Sequence, residues 1–268
     1  MRRLLCGVML CGFVPYLPGR QAADPRDGRE VLARMHQAYA GRWYSKVAFV
    51  QRTTVIKPGG QQDTATWYES LLGPNQLRID FGSPAAGRGA IFTAESTFIF
   101  REGRLLRSND QGNPFLPLVM GVFLESPDTA ARRAMHHGFD LQKLHVSATD
   151  GGRFYVVGSA SDADTTSPQF WVDARRWLVT RMIVWVQTPS AGKLLLDVRL
   201  GDDVPISGGW LSTRVSIARD GAPLQLEEYT EWSDRVAIPD SLFDRTRWVS
   251  RGHWASEPRS PALWGHAP

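Results

Sequence analysis

Apolar positions along the chain follow two periods, one after the other. Between Asp24 and Arg42, Val31, Leu32, Met35, Ala38 and Tyr39 recur at helical spacing, with Arg29, Glu30, Arg34 and His36 largely on the other side. The spacing predicts one amphipathic helix ending at Gly41. From Ser45 the period shortens to two. KVAFVQRTTVIK is rich in β-branched residues, Pro58-Gly59-Gly60 marks a turn, and Gln62 to Leu72 sets Ala65, Trp67, Glu69 and Leu71 against Thr64, Thr66, Tyr68 and Ser70. Two long strands around such a turn form a hairpin. QLRIDFG then points Leu77, Ile79 and Phe81 one way and Arg78 and Asp80 the other. Short strands follow at Ala90 to Thr93, STFIFR and RLLRS, with Phe98 and Phe100 sharing a face.

The alternation stops at Pro114 to Leu124, PFLPLVMGVFL, which has no charged residue. It is too short to cross a bilayer and too apolar to lie bare, so it must be covered or cover something. In the segment ESPDTAARRAMHHGFD that follows, Ser126 suits an N-cap, Pro127 the first helical position, Asp128 the helix dipole and Gly138 the stop. Two short helices are therefore expected in a chain of strands, as a plug or lid on a sheet. Seven more strands are expected, KLHVSAT, GRFYVVGSA, PQFWVDA, WLVTRMIVWVQ, GKLLLDVRL, GWLSTRVSIARD and APLQLEEYTEW, joined by tight turns. About a dozen strands without intervening helices argue for an antiparallel meander. In the strand at 177–187, Trp177, Val179, Ile183 and Trp185 occupy one face and Leu178, Met182, Val184 and Val186 the other, so it needs cover on both.

With 268 residues, 43 % of them hydrophobic, the chain can bury a full core. Met1-Arg2-Arg3, the apolar run Leu4 to Leu17 and the alanines of PGRQAADP read as a secretory signal peptide over residues 1–23. Both cysteines, Cys6 and Cys11, fall inside it, which removes disulfide and thiol chemistry from the mature chain. Cleavage also removes Arg2, Arg3 and Arg20 and takes the formal charge from +4 to +1, so no nucleic-acid partner is expected. Residues 24–244 would form the folded domain. Residues 245–268 have no period and are expected to be a loosely ordered tail that Trp248, Trp254 and Trp264 could dock in part.

The chain contains no GxSxG, HExxH, Walker or GxGxxG motif. His136 and His137 point in different directions on a helix and read as a solvated face, so no metal and no cofactor are expected. Glu227 and Glu228 are neighbours on a strand, face opposite sides and read as sheet-surface charge. Ten tryptophans and twelve phenylalanines are more aromatic bulk than a narrow core needs.

The order of elements resembles the LolA/LolB-type outer-membrane lipoprotein carriers and their lipoprotein-sorting relatives. The matching segments are the hairpin beginning KVAFVQRTTV, the loop-strand GPNQLRIDF, ESTFIFREGRLLR, GNPFLPLVMG and the closing VAIPDSLF. The resemblance implies a mainly β fold, a strongly curved antiparallel sheet or incomplete β-barrel, with an N-terminal helix and short lid helices over a concave face. It also implies a monomeric, non-enzymatic periplasmic carrier that takes lipoprotein acyl chains or another lipid from an inner-membrane donor to an outer-membrane acceptor. By strand parity the lipid-binding residues would be Phe49, Trp67, Leu77, Ile79, Phe81, Phe98 and Phe100, with Phe115, Leu116, Met120 and Phe123 from the lid. The family's lid-latching arginine is replaced by Gly73, so apolar contact should hold this lid. A sensory or regulatory lipid- or protein-binding module on the same scaffold is the alternative.

Overall fold

Asp27 caps the first helix, α1 (Gly28–Tyr39), its side chain accepting from the Glu30 amide at 2.9 Å. The apolar stripe of Val31, Leu32 and Met35 is fully buried, and the chain turns out of the helix at Gly41 with φ 69°. The computed structural model describes residues 23–149, 151–188 and 192–267; the expected signal peptide, with Cys6 and Cys11, lies outside the described residues apart from Ala23.

Strands β1 (Lys46–Ile56), β2 (Gln62–Leu72), β3 (Gln76–Phe81), β4 (Gly89–Phe92), β5 (Thr97–Arg101) and β6 (Arg104–Asn109) run outward as a meander, each paired antiparallel with the next. The chain then crosses the molecule through α2 (Val122–Leu124) and α3 (Pro127–His136). It re-enters at the far edge with β7 (Leu144–Thr149) and returns inward through β8 (Gly152–Val157), β9 (Gln169–Asp173), β10 (Val179–Thr188), β11 (Gly192–Ile206), β12 (Gly209–Arg219) and β13 (Ala222–Ser233). The two meanders join at one long-range seam, where β13 pairs antiparallel with β1 from Ala48↔Ser233 to Val55↔Gln225. A short β14 (Gly265–His266) adds to β13. Ser126 caps α3 by accepting from the Thr129 amide at 3.3 Å, as its sequence predicts.

The sheet is mainly antiparallel β as expected, but it is open and not strongly curled, so the expected incomplete barrel is corrected. Closure would require the edge strands β6 and β7 to pair. The crossing segment that carries α2 and α3 instead lies between them in the chain, and it covers one face of the sheet. On that helix-bearing face α1, the Leu116–Leu124 segment and α3 pack with β1, β9 and β10 in one apolar cluster. In β10 an irregular register between Val179 and Arg181 turns Val179 to the same face as Met182 and Val184, not to that of Ile183 as simple alternation predicts. Ile183 is still buried, and Trp185, 39 % exposed, donates to the Thr166 carbonyl at 3.0 Å.

The other face is covered by the C-terminal segment, which corrects the expectation of a loose tail. Trp248, Trp254 and Trp264 are each less than 10 % exposed and pack with Ala48, Val50, Ile91, Phe100 and Leu242. The anchor is Arg78, fully buried on β3. Its Nε and Nη2 donate to the two oxygens of Asp80 at 2.8 Å each, and Nη1 donates to the carbonyls of Leu242 at 3.0 Å and Val249 at 2.6 Å. The guanidinium lies 3.8 Å from the Trp248 ring centroid. His253 Nε2 completes the shell of Asp80 at 3.0 Å, and Trp254 Nε1 donates to Ser70 Oγ at 2.8 Å. Arg78→Ala strands the buried Asp80 carboxylate and frees two carbonyls. It is expected to cost about 3–5 kcal/mol in a denaturant titration followed by tryptophan fluorescence, with earlier proteolysis of the segment after Phe243.

Candidate functional site

The Asn113 side chain accepts from the Phe115 amide at 2.8 Å and starts the apolar segment, which winds through a π-helical turn at Pro117–Gly121 directly into α2. Leu118, Met120 and Val122 are fully buried. Phe123 stacks on Trp43 with centroids 3.8 Å apart and meets Tyr39 edge-on at 5.2 Å. His36 Nδ1 donates to the Val122 carbonyl at 3.0 Å, and Arg133 holds Glu125 through two bonds of 2.9 and 3.0 Å. Direct backbone approach does the rest. A Cβ on Gly73 would stand 2.4 Å from Leu124 Cδ1, 3.1 Å from the Ser45 carbonyl oxygen and 3.2 Å from Met120 Cε. A Cβ on Gly121 would stand 2.7 Å from Asn75 Oδ1. No side chain fits where a latching arginine would begin.

Between this lid and the sheet lies a cavity of about 370 Å³. Eight of the eleven candidate residues line it: Phe49, Trp67, Leu77, Ile79 and Phe81 from strands, and Phe115, Leu116 and Phe123 from the lid. Met120 is buried in the core and touches the Gly73 position. Phe98 and Phe100 belong to the opposite face; Phe100 is 1 % exposed and lies 5.2 Å from Trp248. Both faces of β5 are covered, so alternation alone could not say which one looks into the cavity. Sequence reasoning missed Trp43, Leu178, Trp210 and Leu211, which also line it. A larger cleft of about 770 Å³ adjoins it and shares Phe92, Asn113 and Phe115, so Phe115 stands between the two spaces. His137 lines the outer cleft half-buried rather than solvated, and burial, then the neighbouring His136, pushes its pKa down to about 4. Among the described residues no His, Cys, Asp and Glu cluster could hold a metal ion.

The cavity wall also carries two carboxylates. Phe49, Gln51 and Thr53 share the cavity-side face of β1; Glu69 pairs with Phe49 across β2, Tyr229 with Gln51 and Glu227 with Thr53 across β13. Glu227 therefore faces inward, which corrects its reading as surface charge, while Glu228 faces out and pairs with Arg52 at 2.7 Å and Arg214 at 3.3 Å. Parity held the signal, since Glu69 alternates in phase with Trp67 and Leu71. Burial, then the charges of Glu227 and Asp80, holds the Glu69 carboxyl well above the usual carboxylate range. Burial pushes Glu227 up to about 7 against a hydrogen bond from Gln225 at 2.6 Å.

No family model and no curated protein matches the chain in sequence. Solved structures do. A domain described as an outer membrane lipoprotein-sorting protein from Vibrio parahaemolyticus aligns at 9 % identity with a TM-score of 0.50, over 80 % of this chain and 95 % of its own. A DUF1329 family protein from Desulfovibrio piger aligns at 14 % identity with a TM-score of 0.52, over 81 % of this chain and 95 % of its own. A LolA superfamily protein from Nitrosomonas europaea is 15 % identical at a TM-score of 0.48, over 80 % and 96 %. The chain has the lipoprotein-sorting fold. At these identities the likeness concerns the fold, and the cavity must be read from its own residues.

Two outcomes follow from this geometry. Gly73→Ala drives a methyl into Leu124 and the Ser45 carbonyl and is expected to destabilise by about 1–3 kcal/mol in thermal or chemical unfolding. Glu227, raised from 4.5 to about 7, binds its proton more tightly folded than unfolded. The wild type should therefore lose stability as pH rises through that window. Glu227→Gln should gain little Tm below the window and most above it.

Proposed function

We propose that this chain is a non-enzymatic carrier that holds an acyl chain in the cavity beneath the Phe115–Leu124 lid. The observation that carries the reading is a largely apolar, part-open space bounded on one side by sheet and on the other by a segment without charge. At about 30 Å³ per water-sized group, 370 Å³ holds on the order of a dozen methylenes. Each contributes about 0.8 kcal/mol of transfer free energy. A gross gain of about 10 kcal/mol, set against the cost of association, gives reversible retention suited to a carrier. Phe115, shared with the outer cleft, is placed to part the lid from the sheet when a chain passes.

The expected signal peptide and the printed description of the Vibrio parahaemolyticus domain support a periplasmic setting with acylated cargo, received from an inner-membrane donor and passed to an outer-membrane acceptor. Among the described residues no helix is long and apolar enough to cross a membrane.

Native mass spectrometry of the mature protein is expected to show a bound amphiphile, and dodecanol should raise Tm in proportion to occupancy. Phe115→Asp, at a half-buried position, should weaken retention at least about tenfold by placing a charge in the apolar wall. A protein that binds no long-chain compound, or a variant with unchanged retention, would remove the reading.

A further inference from the structure

Glu69 is 4 % exposed and lines the cavity, and its side chain makes no hydrogen bond or ion pair to any described residue. Glu227 accepts one bond to its side chain, from Gln225. Gln51 is fully buried beside Glu227, spends its Nε2 on Thr53 Oγ1 at 2.8 Å, and leaves Oε1 without a partner. The stretch of wall where β2, β1 and β13 meet thus holds two buried carboxyl groups, with the Tyr229 phenol and the Gln51 amide as neutral neighbours and no cation beside them. Unpaired buried groups of this kind burden the folded state until a ligand serves them.

Among the described residues no cation fills the gap. Arg52 and Arg214, next to the pair in the ladder, are turned outward to Glu228, and Arg78 is committed to Asp80 on the opposite face with His253. The titratable groups on the cavity side are Tyr44 and Tyr229, both with phenols pushed up by burial. Val215 of β12 and Ile79 of β3 are the apolar ladder partners of Glu227 and Glu69. Aromatic faces surround the spot: Tyr229 stacks on Phe49 at 4.1 Å, and Trp67 lies across from Gln51.

We propose that the cavity takes an amphiphile bearing a primary ammonium, which docks against Glu69 and Glu227 while its chain lies beneath the lid. The inference rests on the carrier reading and specifies the polar end of its cargo. An ammonium supplies three donors and no acceptor, the complement of the Glu69 and Glu227 carboxylate oxygens that line the cavity. The rings of Tyr229 and Trp67 add cation–π attraction. A carboxylate head would instead add a third negative charge, and a hydroxyl would serve one acceptor. Binding draws the pair into its ionised form and releases protons, so affinity rises with pH until the amine itself deprotonates.

Dodecylamine, dodecanol and dodecanoate are to be titrated into the mature wild type and into the Glu69→Gln/Glu227→Gln double variant, by calorimetry at several pH values. Dodecylamine is expected to bind the wild type at least about tenfold more tightly than dodecanol, with affinity rising from about pH 6 to about pH 8 and the preference lost in the double variant. Equal or tighter binding of dodecanol or dodecanoate overturns the ammonium assignment and leaves the carrier standing, as does an amine preference that survives in the double variant. Failure of all three to bind the wild type overturns both.

Discussion

A sheet that is apolar on both faces must be covered on both, and this protein satisfies that demand with two unlike layers. On one face α1, the apolar lid and α3 pack as helices against the strands. On the other, the C-terminal segment lies across β1, β3, β4 and β5 with three tryptophans as its apolar contacts. The first cover is regular and leaves space beneath it; the second is irregular and leaves none of note. The asymmetry sets the site, because side chains on the cavity face meet a lid of short helices that cannot fill every gap, whereas the opposite face meets flat indole rings.

Arg78 shows how an irregular cover is held. A strand has no polar groups to spare toward its faces, so a segment without ladder bonds needs donors from side chains. One guanidinium serves Asp80 and two backbone carbonyls and stacks under an indole. The lid is held by the opposite means. Gly73 and Gly121 let the backbone close on the side chains of Leu124, Met120 and Asn75, Phe123 stacks on Trp43, and the polar contacts lie at the rim. Apolar contact over a small area holds this segment over the cavity without a latch.

Glu69 and Glu227 are at odds with their surroundings. Buried carboxylates without cations burden the folded state, and replacement by a neutral residue of the same shape would relieve it. The pair sits in the wall of the apolar cavity, where space adjoins it. The fold and the acidic pair are thus separate features of one cavity: sheet and helical segment bound its apolar space, and Glu69 and Glu227 place two carboxylates in its wall.

The sequence by itself determined the elements. Period, caps and turns located α1, the hairpin β1–β2, the strands after it, the apolar segment at 114–124 and the capped α3, because each depends on neighbours a few residues away. Five of the seven strand candidates for the cavity, Phe49, Trp67, Leu77, Ile79 and Phe81, line it, since each shares its face with its neighbours two residues away. What faced what was decided only in three dimensions. Phe98 and Phe100 alternate as regularly as Leu77 and Ile79, yet lie on the other side of the sheet, since parity fixes which residues share a face and not which face is inside. Residues after Phe243 carry no period because a cover built from single tryptophans and carbonyls needs none. The openness of the sheet, the β1–β13 seam and the meeting of Glu69 with Glu227 all depend on pairing residues more than a hundred positions apart. No local pattern encodes such pairing, and only the closing of that seam brings the two carboxylates to one wall.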